Sequence, residues 1–187
     1  MSQLDSPANR DAIRRNLLRW YPNHRRALPW RENVTPYRVW LSEIMLQQTR
    51  VEAALPYYER FLTAFPDVQS LAAAPLESVL KLWERLGYYT RARNLHKAAK
   101  IIVKNHNAEF PATAQEWLAL PGIGRYTAGA IASVCYGECV PIVDGNVKRV
   151  LARIFAVEDA VDSPSAMKRF WQIAEELVPP LRSGDFN

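Results

Sequence analysis

The sequence predicts an all-α fold, and three observations carry that prediction. Apolar residues recur at spacings of three and four along almost the whole chain, period-two runs of β-branched residues are scarce, and helix start signals are frequent. Ser6-Pro7, Thr35-Pro36 and Ser163-Pro164 each set a capping hydroxyl before a proline that fits the first helical position, where its missing N–H costs nothing. In order, helices are expected over 6–21, 36–48, 51–65, 75–86, 90–106, 114–119, 126–136, 145–156 and 164–178. The first, second and last start at the three Ser/Thr-Pro pairs. In 90–106, Leu95, Ala98, Ala99 and Ile102 share one face while Arg91, Lys97, Lys100 and Lys104 fall largely elsewhere, giving an amphipathic helix with a basic outer side. Thr113 and Glu116 form a capping box ahead of Trp117 and Leu118, the 126–136 segment is rich in small residues, and Asp144 is set as the N-cap of 145–156. Short polar or Pro/Gly connectors join these elements, and no fixed-period repeat or low-complexity tract interrupts them.

With 187 residues, 49% of them hydrophobic and 11% aromatic, the chain can bury a real core as one ordinary domain or two small ones. No stretch approaches eighteen consecutive apolar residues, so no membrane span is expected, and the opening MSQLDSPANR lacks the pattern of a secretory signal. Two cysteines, Cys135 and Cys139, are too few for a disulfide framework and fit a reducing compartment; both are expected to be small buried residues. His24, His96 and His106 lie far apart and suggest no zinc site; each is expected at the surface or at a helix end. The net charge of +5 permits a nucleic-acid partner without requiring one. From Arg85 to Lys104 there are six basic residues and no acidic one, interleaved with Tyr88 and Tyr89, which reads either as a solvated helix face or as a phosphate-facing one.

Three segments carry chemistry. Leu120-Pro121-Gly122-Ile123-Gly124-Arg125-Tyr126-Thr127-Ala128-Gly129-Ala130 reads as a helix-hairpin-helix, in which two glycines allow a tight turn and expose N–H groups at the next helix N-terminus, where an anion such as a DNA phosphate is favoured. A Pro-Gly turn between any two packed helices is the plainer alternative. In Ser42-Glu43-Ile44-Met45-Leu46-Gln47-Gln48-Thr49, Glu43 has Val39 and Trp40 one turn before it and Leu46 one turn after, so its carboxyl rises from an apolar strip that would raise its pKa. That environment makes a proton donor near neutral pH, or else holds a buried ion pair with an arginine. In Pro141-Ile142-Val143-Asp144-Gly145-Asn146-Val147-Lys148-Arg149, an N-cap carboxylate accepts backbone N–H bonds and stays ionised, a structural role when taken alone. Paired with Glu43 it acquires another meaning, because glycosidic bonds are typically broken by one protonated and one ionised carboxyl.

SEIMLQQTRV, LWERLGYYTRARNL, LPGIGRYTAGAIAS and PIVDGNVKRVLAR together resemble the adenine DNA glycosylases of the helix-hairpin-helix/endonuclease III superfamily, a likeness running from Leu28-Pro29-Trp30-Arg31 to Phe186-Asn187. The resemblance implies a helix-hairpin-helix glycosylase fold of two helical domains with the DNA cleft between them. One is a six-helix domain over 29–137, with the hairpin at about 114–136; the other is built from 1–28 plus 138–187. It implies a base-excision-repair enzyme that extrudes adenine mispaired with 8-oxoguanine or guanine from double-stranded DNA and hydrolyses its N-glycosidic bond. Glu43 then resembles the acid that protonates adenine at N7 and later handles water, and Asp144 the group that stabilises or traps the sugar cation. Tyr126 and Asn146 resemble the polar residues that position the sugar and Asp144, and Arg31 a contact to the flipped nucleotide. Gln48 and Tyr88 match positions that wedge into the base stack, and Gln47, Thr49, Leu86, Gly87, Arg91, Gly122, Gly124, Arg125, Thr127 and Lys148 complete the implied DNA-binding set. The carbonyls of Leu118, Leu120 and Ile123 match a site for a monovalent or similar cation.

Position 126 separates the two nearest branches. In the endonuclease III pattern the residue two after the second hairpin glycine is a lysine that forms a Schiff base with the sugar; here it is Tyr126, and Val143-Asp144-Gly145-Asn146 follows the adenine-glycosylase pattern. Base removal without efficient strand cleavage is therefore expected, with Lys148 near enough in sequence for weak trapping. Family members also carry four cysteines that hold a [4Fe–4S] cluster, and none of those ligands lies in this chain, whose end at Asn187 reads as a cut. The remaining expectations are a monomer, no membrane partner and, in a bacterium, a cytoplasmic, nucleoid-associated location. The alternatives are a related glycosylase acting on thymine or uracil opposite guanine, and an inactive DNA-binding fragment.

Overall fold

A computed structural model describes residues 6–187, and among them every regular element is helical. Helix α1 (Pro7–His24) starts where Ser6 accepts the Asn9 N–H, and α3 (Pro36–Leu46) where Thr35 accepts that of Arg38. Between them, Pro29 opens a single turn, α2 (Pro29–Glu32). After α4 (Val51–Ala64), the six-residue α5 (Val68–Ala73) is closed by a reciprocal Asp67–Ser70 capping box. Both α2 and α5 were absent from the sequence expectation, because neither is long enough to show a helical period. The chain continues through α6 (Leu76–Leu82), α7 (Thr90–Asn105), α8 (Ala114–Leu118) behind the expected Thr113–Glu116 capping box, and α9 (Arg125–Tyr136), which Gly137 ends at φ +69°. Then come α10 (Gly145–Phe155), α11 (Pro164–Leu177) and the short α12 (Ser183–Phe186). Residues 1–5, which the sequence reading assigns to the second domain, lie outside the described residues.

Two expected helices end early for a backbone reason. The 36–48 helix stops at Leu46 because Gln48 takes φ +58°, and the 75–86 helix stops at Leu82, ahead of Arg85 at φ +72°. Left-handed backbone at residues other than glycine is uncommon and is retained where the surroundings over-determine it.

The apolar residues gather into two clusters. The larger centres on α3, whose Trp40, Leu41 and Met45 are essentially inaccessible, and draws in Phe61, Leu71, Trp83, Leu95, Ile102, Trp117 and Ile131. Trp40, Phe110 and Trp117 pack ring to ring with centroids 5.8 to 6.2 Å apart, joining α3 to α8. The smaller cluster holds Leu151 and Phe155 of α10 against Phe170, Ile173 and Leu177 of α11, with Ile13 of α1 and Phe186 of α12 packed on it.

Three sequence expectations are corrected here. Arg91, assigned to the basic outer side of α7, is buried, leaving Arg93, Lys97, Lys100 and Lys104 exposed along that face. His96, expected at a surface or helix end, is also buried: its Nε2 lies 3.0 Å from the Ala74 carbonyl, and desolvation, with Lys100 nearby, holds its pKa below the ordinary imidazole value. Cys135 is only half-buried and Cys139 is exposed, its thiol 3.4 Å from the Pro179 carbonyl.

The C-terminal turn is fastened onto α9. Asn187 Nδ2 donates to Ser133 Oγ at 3.0 Å and to the Val140 carbonyl at 2.9 Å, and Gly184 lies so close that an added Cβ would stand 2.7 Å from the Ser133 carbonyl oxygen. Backbone cannot yield as a side-chain tip does, so Gly184→Ala is expected to cost about 1–3 kcal/mol and lower the melting temperature by several degrees. An unchanged melting curve would show that α12 does not seat this closely.

Candidate active site

A cleft of about 1110 Å³ opens between α3 and one side of α9 on the one hand and the segment leading into α10 on the other, with α1 and α12 at its rim. Glu43 lines it, half-buried on a helix whose neighbouring side chains Val39, Trp40, Ile44 and Met45 are buried. Desolvation pushes its carboxyl up to about 7; a hydrogen bond from Tyr126 and the Arg31 charge oppose that rise, and Asp144 across the cleft adds to it. The Tyr126 hydroxyl is itself driven well above the ordinary phenol value by burial and by the two acids, so it keeps its proton and donates to Glu43. Behind this pair, burial and Glu43 raise the Cys135 thiol to about 12, which makes it a neutral neighbour and no nucleophile.

Asp144 is held differently. Its Oδ1 accepts the Val147 N–H at 2.7 Å at the start of α10, and its Oδ2 accepts Asn146 Nδ2 at 3.1 Å. Arg149 donates to Asn146 Oδ1 at 2.8 Å, which fixes the amide so that its nitrogen faces the carboxylate. Sequence reasoning missed Arg149, although its i+3 spacing from Asn146 along a helix was available. Gly129 makes room for this approach: an added Cβ would lie 3.0 Å from the Pro141 carbonyl oxygen, on the strand of chain that brings Asp144 to the cleft.

The expected hairpin lies between α8 and α9. Leu120 and Ile123 donate to the Trp117 and Leu120 carbonyls at 3.0 and 3.3 Å, Gly122 adopts φ +80°, and its Cβ would stand 2.8 Å from that of Asn94. Both left-handed backbone and close approach therefore require glycine here. Gly124 begins α9 with no capping side chain, leaving first-turn N–H groups free to meet an anion. Of the three carbonyls expected to face a cation, that of Leu120 thus already accepts one N–H, while Leu118 is exposed. Arg125 is exposed but lies with its guanidinium carbon 3.6 Å from the Trp171 ring centroid, bridging α9 to α11.

Gln48 and Tyr88 face one small pocket with Gln47, Thr90 and Arg91, and both are exposed, Tyr88 to 62%. Tyr88 at φ +48° follows Gly87 at φ +76° and Gln48 takes φ +58°, so each residue expected to wedge into a base stack stands on a left-handed turn. The other expected DNA contacts divide. Gly87, Gln47 and Thr49 are half-buried beside these turns, whereas Leu86 and Thr127 are buried, Thr127 Oγ1 lying 3.5 Å from Gln47 Nε2. Arg91, named in the expected DNA-binding set, is buried, and its guanidinium donates to backbone carbonyls of the turns that hold Gln48 and Tyr88. Lys148 pairs with Asp162 at 2.6 Å. Arg26, Trp30 and Val51 also line the cleft and were missed; Trp30 and Arg31 share one turn of α2, which gave no periodic signal.

No group of three or more His, Cys, Asp or Glu side chains among the described residues is arranged to hold a metal, and two cysteines cannot supply the four thiolates of a [4Fe–4S] cluster. The residues of this chain do not fit that group.

The sequence is 46% identical over 172 residues to the adenine DNA glycosylase of Buchnera aphidicola from Acyrthosiphon pisum, covering 91% of this chain and 49% of that protein. It is 44% identical over 185 residues to the human adenine DNA glycosylase, covering 94% of this chain and 34% of the human one. The chain thus spans about half the length of the bacterial relative and a third of the human. Among solved structures, a thermostable thymine-DNA glycosylase superposes with a TM-score of 0.84 at 27% identity, covering 95% of this chain and 82% of its own. A trapped endonuclease III–DNA covalent intermediate superposes at 0.76 with 21% identity, covering 97% and 86%, a likeness of fold. Residues 41–176 match the model of the HhH-GPD superfamily base excision DNA repair proteins, and with the hairpin, the all-helical fold and the cleft already in view, the chain belongs to that superfamily.

Proposed function

We propose that this chain builds the catalytic cleft of a monofunctional DNA glycosylase that hydrolyses the N-glycosidic bond of adenine mispaired with 8-oxoguanine or guanine. The observation that carries the reading is the pair of carboxyls: Glu43 is held at a pKa of about 7 by burial, and Asp144, across the same cleft, is fixed by two donors. The high identity to adenine DNA glycosylases over nearly the whole chain supports adenine as the base.

With adenine turned out of the duplex into the cleft, protonated Glu43 gives its proton to N7. The base then leaves as a neutral molecule, taking the electron pair of the C1′–N9 bond. Positive charge develops on the sugar, and the Asp144 carboxylate stabilises or captures it at C1′. The Glu43 carboxylate left behind accepts the Tyr126 hydrogen bond and faces the Arg31 charge, so both stabilise the form that the transfer creates. That carboxylate next accepts a proton from the water that adds to C1′. Because position 126 supplies a phenol and no amine, hydrolysis replaces Schiff-base formation. Duplex DNA is the partner, with phosphate at the Gly122–Gly124 turn and a monovalent cation beside it at the Leu118, Leu120 and Ile123 carbonyls as parts of the same reading. Thymine opposite guanine is a second substrate reading, supported by the likeness to the thymine-DNA glycosylase structure and weakened by its lower identity.

A labelled duplex carrying adenine opposite 8-oxoguanine, under single turnover and split between alkaline workup and none, is expected to break only after alkali. Breaks without alkali, or none in either half, contradict the proposal, and preferred cleavage of a thymine–guanine duplex selects the second reading. Glu43→Gln is expected to slow base release by about 10²-fold or more with DNA affinity retained. An unchanged rate would instead mark a residual activity that does not use this acid.

The rate is expected to fall on the alkaline side as Glu43 loses its proton through about pH 7, and a flat profile to pH 9 would remove Glu43 as the acid. Tyr126→Lys should gain a borohydride-trappable adduct with abasic DNA; no adduct would mean that residue 126 does not stand beside the sugar. Stability falls with rising pH as the rate does, but removing the carboxyl acts on the two with opposite sign. Folded Glu43 keeps a proton that the unfolded chain releases between 4.5 and about 7, so the fold loses stability across that window and the cost persists above it. Glu43→Gln is therefore expected to raise the melting temperature at pH 8 by about 3 °C or more while changing it little at pH 4.5. Equal shifts at both values would mean that the gain does not come from the carboxyl's ionisation.

A further inference from the structure

Arg91 is 9% exposed, and the groups around it come from the end of α3 with the turn after it and from the turn before α7, which the sequence keeps some forty residues apart. One terminal nitrogen donates to the carbonyls of Ile44, Met45 and Gln47 at 3.1, 2.9 and 2.5 Å, at the C-terminal end of the helix that carries Glu43. The other donates to the Leu86 and Gly87 carbonyls at 3.2 Å each, immediately before Tyr88. Both reach Thr49 Oγ1 at 3.3 Å, and Nε is buried without a partner, so the fork alone makes the connection. The guanidinium carbon also lies 5.5 Å from the Trp83 ring centroid and 5.4 Å from that of Tyr88. A cation at these carbonyls answers the acceptors that α3 leaves unpaired at its end, and its charge suits that end of the helix dipole.

We propose that Arg91 is a positioning residue: its guanidinium ties the Gln48 turn to the Tyr88 turn, and both to the end of the Glu43 helix. Two exposed side chains on left-handed backbone thereby enter a base stack as one rigid wedge, set at a fixed place relative to the acid. This rests on the glycosylase reading for what the wedge serves, but the tie itself is made entirely within the chain. A lysine would keep the charge and lose the span, since one ammonium with three donors cannot reach carbonyls of both turns as a planar fork does.

A wedge matters most where a base pair must be opened. Arg91→Lys is therefore expected to slow excision of adenine opposite 8-oxoguanine by about tenfold or more, and of adenine opposite an abasic-site analogue by less than about threefold. The midpoint of the alkaline limb should stay where it is in the unsubstituted chain. Equal slowing on both duplexes, no slowing, or a moved midpoint would overturn the proposal, because each assigns Arg91 to general stability or to Glu43 itself. Thr49→Val, which removes one acceptor shared by both nitrogens, should act in the same direction more weakly, and it serves if the lysine variant does not fold. A readout without catalysis uses 2-aminopurine next to the mispair in the Glu43→Gln background: binding should brighten it by unstacking, and adding Arg91→Lys should remove most of that gain. If the unsubstituted chain excises nothing yet the fluorescence gain depends on Arg91, the glycosylase reading falls and the tie stands. A gain independent of Arg91 overturns the tie whatever the chemistry.

Discussion

The structure depends on keeping a proton on Glu43 inside a cleft that stays open to the surroundings. A carboxyl placed in open water would be ionised near neutral pH, and one sealed in the core would never meet a base. Helix α3 resolves this by burying the residues on either side of Glu43 in the larger apolar cluster while the cleft borders the carboxyl itself. Desolvation then outweighs the Tyr126 hydrogen bond and the Arg31 charge, and the net shift leaves the group poised where it can both give and take a proton. Because α3 is the element against which α4, α7 and α9 pack, the same apolar contacts that stabilise the fold set the acidity of its reactive group.

Asp144 shows the complementary solution. It starts a helix where Glu43 sits within one, and its oxygens are occupied by a backbone N–H and by an amide that Arg149 orients. Two carboxyls in one cleft thus acquire different roles from local geometry: one from apolar neighbours in mid-helix, the other from donors at a helix start. The two are brought together by the close passage of Pro141 and Ile142 over Gly129 and by the fastening of α12 onto α9.

Much of this was legible in the sequence, for identifiable reasons. Ser6, Thr35, Thr113, Asp144 and Ser163 announced helix starts because capping is a contact between residues three apart, so its whole mechanism is local. Glu43 was legible because Val39, Trp40 and Leu46, one turn away on its own helix, mark an apolar strip that the sequence displays. Arg91 and His96 were not, since Arg91 is drawn inward by the Ile44 and Met45 carbonyls at the end of α3 and His96 by the Ala74 carbonyl, contacts distant in sequence that no helical pattern reveals. The same limit hid Arg149 as the orienter of Asn146 and left α2 and α5 unseen. Gln48, Arg85 and Tyr88 mark a different gap: residue type gives no hint of left-handed backbone away from glycine, so the expected helices ran on to Gln48 and through Arg85.

That gap has a physical meaning for the cleft. Left-handed residues other than glycine cost energy, and three of them cluster within the two turns that Arg91 joins. A loop that merely connected α3 to α4, or α6 to α7, would relax toward ordinary backbone, since nothing would be lost by doing so. Here relaxation would separate the carbonyls of Gln47, Leu86 and Gly87 from a buried guanidinium whose remaining nitrogen already lacks a partner, leaving a charge without compensation in the interior. The strained turns and the buried cation therefore hold each other in place, and neither has an independent reason to persist. What the arrangement preserves is the exposure of Gln48 and Tyr88 beside one small pocket, next to the C-terminal turn of the helix on which Glu43 keeps its proton.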